Sequence, residues 1–137
     1  VISKSNFTGA FTFANAPGGN YYLHASHRNS VETWSSAPVQ FERGGTIEYS
    51  LVNVQSSAFG NNQILIDNSP QRYALFGGDV DRDGAVDAND ASMIDNDAFN
   101  VLTGYIPSDV TGDGFVDGSD ASLADNNAFN FVQKIVP

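Results

Sequence analysis

The chain contains no cysteine, which excludes disulfide staples and thiol nucleophiles. Its six lysines and arginines are scattered rather than clustered, which excludes a basic surface for nucleic acid. No apolar run approaches the roughly eighteen residues needed to cross a bilayer as a helix. No leader with a basic start and an apolar stretch is present, and the first residue is Val1. The expectation is therefore a processed product or an excised fragment. Glutamate is absent beyond Glu48. A secreted chain without disulfides needs another staple, and a bound metal is one.

What is present is 137 residues with 41% hydrophobic content and a net charge of −10. That composition suits one ordinary domain or two small ones. The charge is unevenly placed. Residues 1–78 hold Glu32, Glu42, Glu48 and Asp67 against Lys4, Arg28, Arg43 and Arg72, and so balance. Everything from Asp79 onward holds aspartates against only Arg82 and Lys134, and carries the whole imbalance. Aspartate is a poor helix former and a good loop ligand, so this acidity reads as a set of binding loops rather than a solvated face.

Two stretches confirm the pattern at a thirty-residue offset. Asp79-Val80-Asp81-Arg82-Asp83-Gly84-Ala85-Val86-Asp87-Ala88-Asn89-Asp90 is answered by Asp109-Val110-Thr111-Gly112-Asp113-Gly114-Phe115-Val116-Asp117-Gly118-Ser119-Asp120. Both place oxygen side chains at positions one, three, five, nine and twelve and glycine at six, the spacing of an EF-hand calcium loop. The first loop offers Asp79, Asp81, Asp83, the carbonyl of Ala85, Asp87 directly or through water, and Asp90. The second offers Asp109, Thr111, Asp113, the carbonyl of Phe115, Asp117 and Asp120. Two calcium ions are thus expected, the second held more weakly because Thr111 replaces a carboxylate. Val86 and Val116, at position eight, are expected to pair and couple the loops. At millimolar extracellular calcium and a micromolar dissociation constant, mass action stabilises by about 4 kcal/mol per site.

The chain divides at Gly77-Gly78. Upstream, residues 1–77 read as short strands: Ser5–Ala14, Tyr21–His27, Val31–Ser35, Pro38–Phe41, Thr46–Val54, Ile64–Ile66 and Tyr73–Phe76. They predict a small antiparallel β-sandwich. Downstream, residues 78–137 read as two loop-plus-helix units, with Asn96-Asp97 and Asn126-Asn127 as candidate breaks within the helices. The fold class is α+β.

With those residues in view, Gly78 to Asp90 and Asp109 to Asp120 resemble a bacterial dockerin-type module. The resemblance covers the region from Asp79 to the end. It implies two calcium loops, each followed by one helix, with aspartate at position twelve as at Asp90 and Asp120. It also implies docking onto a cohesin partner through the helices and loop positions ten and eleven, here Ala88-Asn89 and Gly118-Ser119. The helices depart from the cellulosomal pattern of Leu-Leu and Lys-Arg pairs, having Met93-Ile94-Asp95-Asn96 and Leu123-Ala124-Asp125-Asn126 instead. Gly19 to Asn29 and Glu32 to Ser35 resemble Ig- or transthyretin-like sandwich modules of bacterial surface proteins.

Other constellations read as structural. His24 and His27 fall on opposite faces of a strand, and no catalytic set of serine, base and acid is legible. Tyr21, Tyr22, Trp34, Phe41 and Tyr49 offer a sugar-stacking face, in competition with filling the core. Asn6-Phe7-Thr8 is a glycosylation sequon. Phe7–Phe13 and the tail Asn130–Pro137 are apolar and β-competent, suited to strand addition between copies. The function expected is a non-enzymatic, calcium-stabilised building or attachment module of an extracellular or cell-surface assembly, a fibre subunit included. The alternatives are a dockerin that plugs a secreted protein into a cohesin-bearing scaffold, and a carbohydrate-binding module.

Overall fold

The computed structural model describes residues 8–137. The Asn6 sequon and the start of the Ser5–Ala14 strand lie outside them. The architecture is mixed α+β, with small antiparallel sheets followed by two helices. Among the described residues there are six strands: β1 Gly19–Tyr21, β2 His24–His27, β3 Ser30–Trp34, β4 Val39–Phe41, β5 Ile64–Asn68 and β6 Gln71–Ala74. They pair antiparallel as three two-stranded ribbons, β1 with β4, β2 with β3 and β5 with β6.

Three strand expectations change in detail. Tyr21–His27 is not one strand. It breaks at Tyr22-Leu23, and its halves join different ribbons. Residues 8–14 form no extended strand, with a single bridge at Gly9. Thr46–Val54 stays irregular, and its alternation is satisfied piecemeal: Val52 O accepts from Tyr73 N–H (2.8 Å) and Leu51 O from Gln63 Nε2 (2.5 Å). Two short 3₁₀ turns, Gln55–Ser57 and Phe59–Asn61, follow it.

The helices are α1 Ala88–Phe99 and α2 Gly118–Phe129. Both run unbroken through the asparagine-rich middle. The physical reason is strong termination at each end, which fixes the turns between. Asp87 and Asp117 are N-caps, each in a capping box with the acid three residues on, Asp90 or Asp120. At the C-terminus of α1, Val101 N–H bonds Ala98 O and Leu102 N–H bonds Asp97 O, both at 3.0 Å. Phe131 and Val132 repeat this with Ala128 and Asn127 after α2. These are Schellman closures. Their left-handed residue is Val101 (φ 53°) in one and Phe131 (φ 54°) in the other, where glycine is usual.

The core is one cluster: Val80, Val86, Ile94, Val116, Ala124 and Val132 from the repeats, joined by Val31 of β3. Among the described residues the aromatics of the ribbons do not make a second buried cluster. Tyr21, Tyr22 and Tyr49 are more than a third exposed. The ribbons attach to one another and to the helical part: Val31 N–H bonds Phe76 O just beyond β6 (2.9 Å), and Gly78 N–H, at the start of the first loop, bonds Asn29 O (2.8 Å). Position 124 is alanine where the first repeat has Ile94, because the chain crosses α2 there. A Cβ on Gly78 would come within 3.1 Å of Ala124 Cα, and Gly78 also needs its positive φ of 108°. Asn127, buried in α2, donates to Gly77 O (2.8 Å) and fixes the crossing.

Candidate metal centre

The first loop is shaped by aspartates bonding nearby amides. Asp81 Oδ1 accepts from Asp83 N–H (3.1 Å), and Asp83 Oδ1 from Ala85 N–H (2.9 Å). Gly84, at φ 96°, supplies the left-handed turn between them. The result brings Asp79, Asp81 and Asp83 together, with one oxygen of each within 4.8 Å of the others, a group that could hold a metal ion. Asp79 is 2% exposed, and its Oδ1 is buried with no hydrogen-bond partner. Burial first, and then the charges of Asp90, Asp83 and Asp81, push its carboxyl up to about 6, against the stabilising hydrogen bond from Gly84. A buried carboxylate oxygen without a donor, beside two more carboxylates, is the environment a hard cation relieves.

Asp90 holds the loop backbone together. It is buried, its Oδ1 accepts from Val80 N–H (2.7 Å) and Asp81 N–H (3.2 Å), and its Oδ2 accepts from Asp87 N–H (2.9 Å). It organises the loop backbone from beneath and lies outside the three-aspartate group. Asp87 points its Oδ1 to Asn89 N–H (2.7 Å) as a helix cap.

The second loop has the same skeleton with other contents. Asp120 Oδ1 accepts from Thr111 N–H (2.8 Å), and Oδ2 from Asp117 N–H (3.0 Å). Burial raises the Asp120 carboxyl, but the Thr111 and Asp117 amides, the Thr111 hydroxyl and the Val110 amide together hold it below the usual carboxylate range. Thr111 thus spends its hydroxyl inside the loop. Asp113 Oδ1 accepts from Phe115 N–H (2.9 Å), and Asp117 Oδ1 from Ser119 N–H (2.7 Å). Asp109 is buried, with Oδ1 on Gly112 N–H (2.8 Å) and Oδ2 on Gly114 N–H (3.3 Å). Among the described residues no cluster of three acids forms here.

The expected pairing of Val86 with Val116 is not made through the backbone. Val86 N–H bonds Val132 O (2.9 Å), and Val116 N–H bonds Leu102 O (3.0 Å). Ala85 bridges Gln133, and Phe115 bridges Thr103. Each loop is therefore closed by the segment that follows a helix, and the two valines meet only as neighbours in the shared core. The tail that reads as free for strand addition is used in this way: Lys134 N–H reaches Gly84 O (2.6 Å), and Asn62 Nδ2 donates to Gln133 O (3.1 Å).

Two residues with no sequence signal belong to the site. The β2–β3 turn is Arg28-Asn29. Arg28 Nη2 donates to Asp109 O (2.9 Å) and lies 3.5 Å from Asp109 Oδ2, while Nε donates to Ile106 O (3.0 Å). Asn29 Nδ2 donates to Pro107 O (2.9 Å) and Asp109 O (2.8 Å). Elsewhere, His24 stacks on Trp34 at 4.5 Å and meets Glu32 at 3.3 Å, whereas His27 meets Asn29, so the two histidines serve separate contacts. The His24 stack covers one face of the Trp34 ring.

A scan against protein-family models finds no match, and searches of curated proteins and of solved structures find none either. The functional reading therefore rests on the geometry of the loops.

Proposed function

We propose that the loops at 79–90 and 109–120 bind calcium, and that the ion serves as a rigid staple in a non-enzymatic, extracellular building or attachment module. The observation that carries the reading is the buried, unpartnered Asp79 Oδ1 beside the carboxylates of Asp81 and Asp83. Asp79, Asp81 and Asp83 would hold the ion in the first loop, and Asp109 and Asp113 in the second. Calcium suits this set better than magnesium, because it accepts many oxygens in flexible geometry. An acidic chain without disulfides gains from an ion that neutralises its own crowded carboxylates. Calorimetric titration with calcium and with magnesium, alongside melting in calcium and in chelator, tests this. Heat on calcium addition and a higher melting temperature support it; identical melting in both solutions rejects it.

The resemblance to dockerins supplies a second reading, docking of a secreted protein onto a cohesin-bearing scaffold. It is favoured by the exposure of Ala88, Asn89, Gly118 and Ser119, the positions such docking would use. Capture by cohesins in calcium, abolished by chelator, would support docking. Sedimentation showing calcium-dependent growth in mass without a partner would support self-assembly instead.

A further inference from the structure

The two loops differ in what balances their charge, and the difference originates in the ribbons. In the first loop neither nearby cation makes an ion pair with an aspartate of the loop. Arg82 donates to Ser26 Oγ (3.3 Å), and the Lys134 side chain lies across Gly84, where it would collide with any Cβ. Asp79 is left with an unpartnered oxygen. In the second loop Asp109, at the equivalent position, faces the Arg28 guanidinium, and both side chains are largely buried, 16% and 3% exposed.

Arg28 is held on several sides. Its guanidinium carbon sits 3.8 Å above the centre of the Tyr105 ring, and Nη1 lies 3.3 Å from His27 Nε2. The other nitrogen of His27 meets Asn29 Oδ1 at 2.9 Å, so imidazole, amide and guanidinium form a closed chain. Nε and Nη2 are occupied by the carbonyls of Ile106 and Asp109. An arginine with its donors committed and its face stacked is pre-organised and does not swing aside.

We propose that Arg28 is a built-in counter-cation of the second loop, which holds that loop closed without an ion and makes it the weaker and later of the two to take calcium. This rests on the calcium reading above and extends it to a residue outside both repeats. A divalent ion drawing on Asp109 shares that carboxylate with a fixed positive charge, and partial burial limits the screening of their repulsion. The same contact lowers the need for an ion, because Asp109 already has a cation and two amide donors. Asn29 places the turn: its side chain holds Asp109 O, and its own carbonyl holds Gly78 N–H at the start of the first loop. One buried residue thus registers the ribbons against both loops.

The test follows the amide signals of Gly84 and Gly114 in the ¹⁵N-labelled full chain as calcium is added. Each amide bonds the position-one aspartate of its own loop, so each reports one site. Gly84 should respond first, and Gly114 at about tenfold or more higher calcium. Arg28→Gln should bring the Gly114 midpoint down by about tenfold and leave that of Gly84 in place, whereas Arg28→Lys, which keeps the charge, should preserve most of the gap. Thr111→Asp in the Arg28 background should tighten the second loop without bringing it level with the first. That variant keeps the proposal testable should the glutamine variant not fold. Gly114 responding first, an unchanged Gly114 midpoint in Arg28→Gln, or equal midpoints in Thr111→Asp each overturn the role of Arg28. Silence of both glycines rejects calcium binding itself, and this inference with it.

Discussion

Replacing Asp79 by asparagine should reverse the way calcium and pH act on stability. Asparagine keeps an oxygen for the Gly84 amide and removes the charge. In the metal-free protein that charge is costly: Asp79 is 2% exposed, one oxygen lacks a donor, and its carboxyl is pushed up to about 6 from 3.8. At about 1.4 kcal/mol per unit, two units correspond to an upper figure of about 3 kcal/mol. The sign follows from the raised value. The stability associated with protonated Asp79 is complete below 3.8 and is lost as pH rises through about 6. Wild-type protein in chelator should therefore lose stability between roughly pH 4 and 6, a loss that Asp79→Asn abolishes. At pH 7 in chelator the variant should be the more stable by up to about 3 kcal/mol, roughly 10 °C in melting temperature for a chain of this size. In millimolar calcium the order should invert, since wild type gains about 4 kcal/mol at a thousandfold excess over a micromolar dissociation constant and the variant gains little. Calorimetric melting from pH 4.5 to 7.5, with calcium or chelator, reads all arms. A variant less stable than wild type in chelator at pH 7 would refute the reasoning, because Asp79 would then be a satisfied structural carboxylate.

Three further outcomes follow from the packing. Val31→Ala, at a fully buried position in the shared core, should cost about 2–3 kcal/mol, and a single transition in denaturant seen by both tryptophan fluorescence and helical dichroism would show that ribbons and helices unfold together. Asn29→Ala removes the donors to Pro107 O and Asp109 O and should cost about 1–2 kcal/mol, limited because Arg28 still donates to Asp109 O; urea midpoints measure it. Phe131→Gly relieves a left-handed residue whose ring is 86% exposed and should stabilise by about 1 kcal/mol, with melting as the assay; if the same change weakens capture of a partner, the exposed ring serves binding.

The repeats were legible because their chemistry is local. Aspartates at alternate positions with glycine at six can organise a loop by bonds to amides two residues away, as Asp83 does with Ala85 N–H, and no distant partner is needed to read them. The capping roles of Asp87 and Asp117 were hidden by the same residues' value as ligands. What escaped the sequence is what depends on distance along the chain. Arg28 balanced an acid in the upstream charge count yet acts on Asp109. The alternation in Thr46–Val54 is real, but among the described residues no strand pairs with it, and the segment stays irregular. The helices ran through Asn96-Asp97 and Asn126-Asn127 because interior propensity is a small term beside capping at both ends and burial of Ile94 and Ala124.

The way each loop is closed sets a timetable for synthesis. The second loop takes its backbone partner from Leu102 and Thr103, which precede it in the chain and are already made when it emerges. The first takes its partner from Val132 and Gln133, which lie beyond α2. On a ribosome, the loop with the more crowded acids must wait open until the far side of the second helix has been released. The loop already supplied with an arginine can shut earlier, around a turn translated long before it.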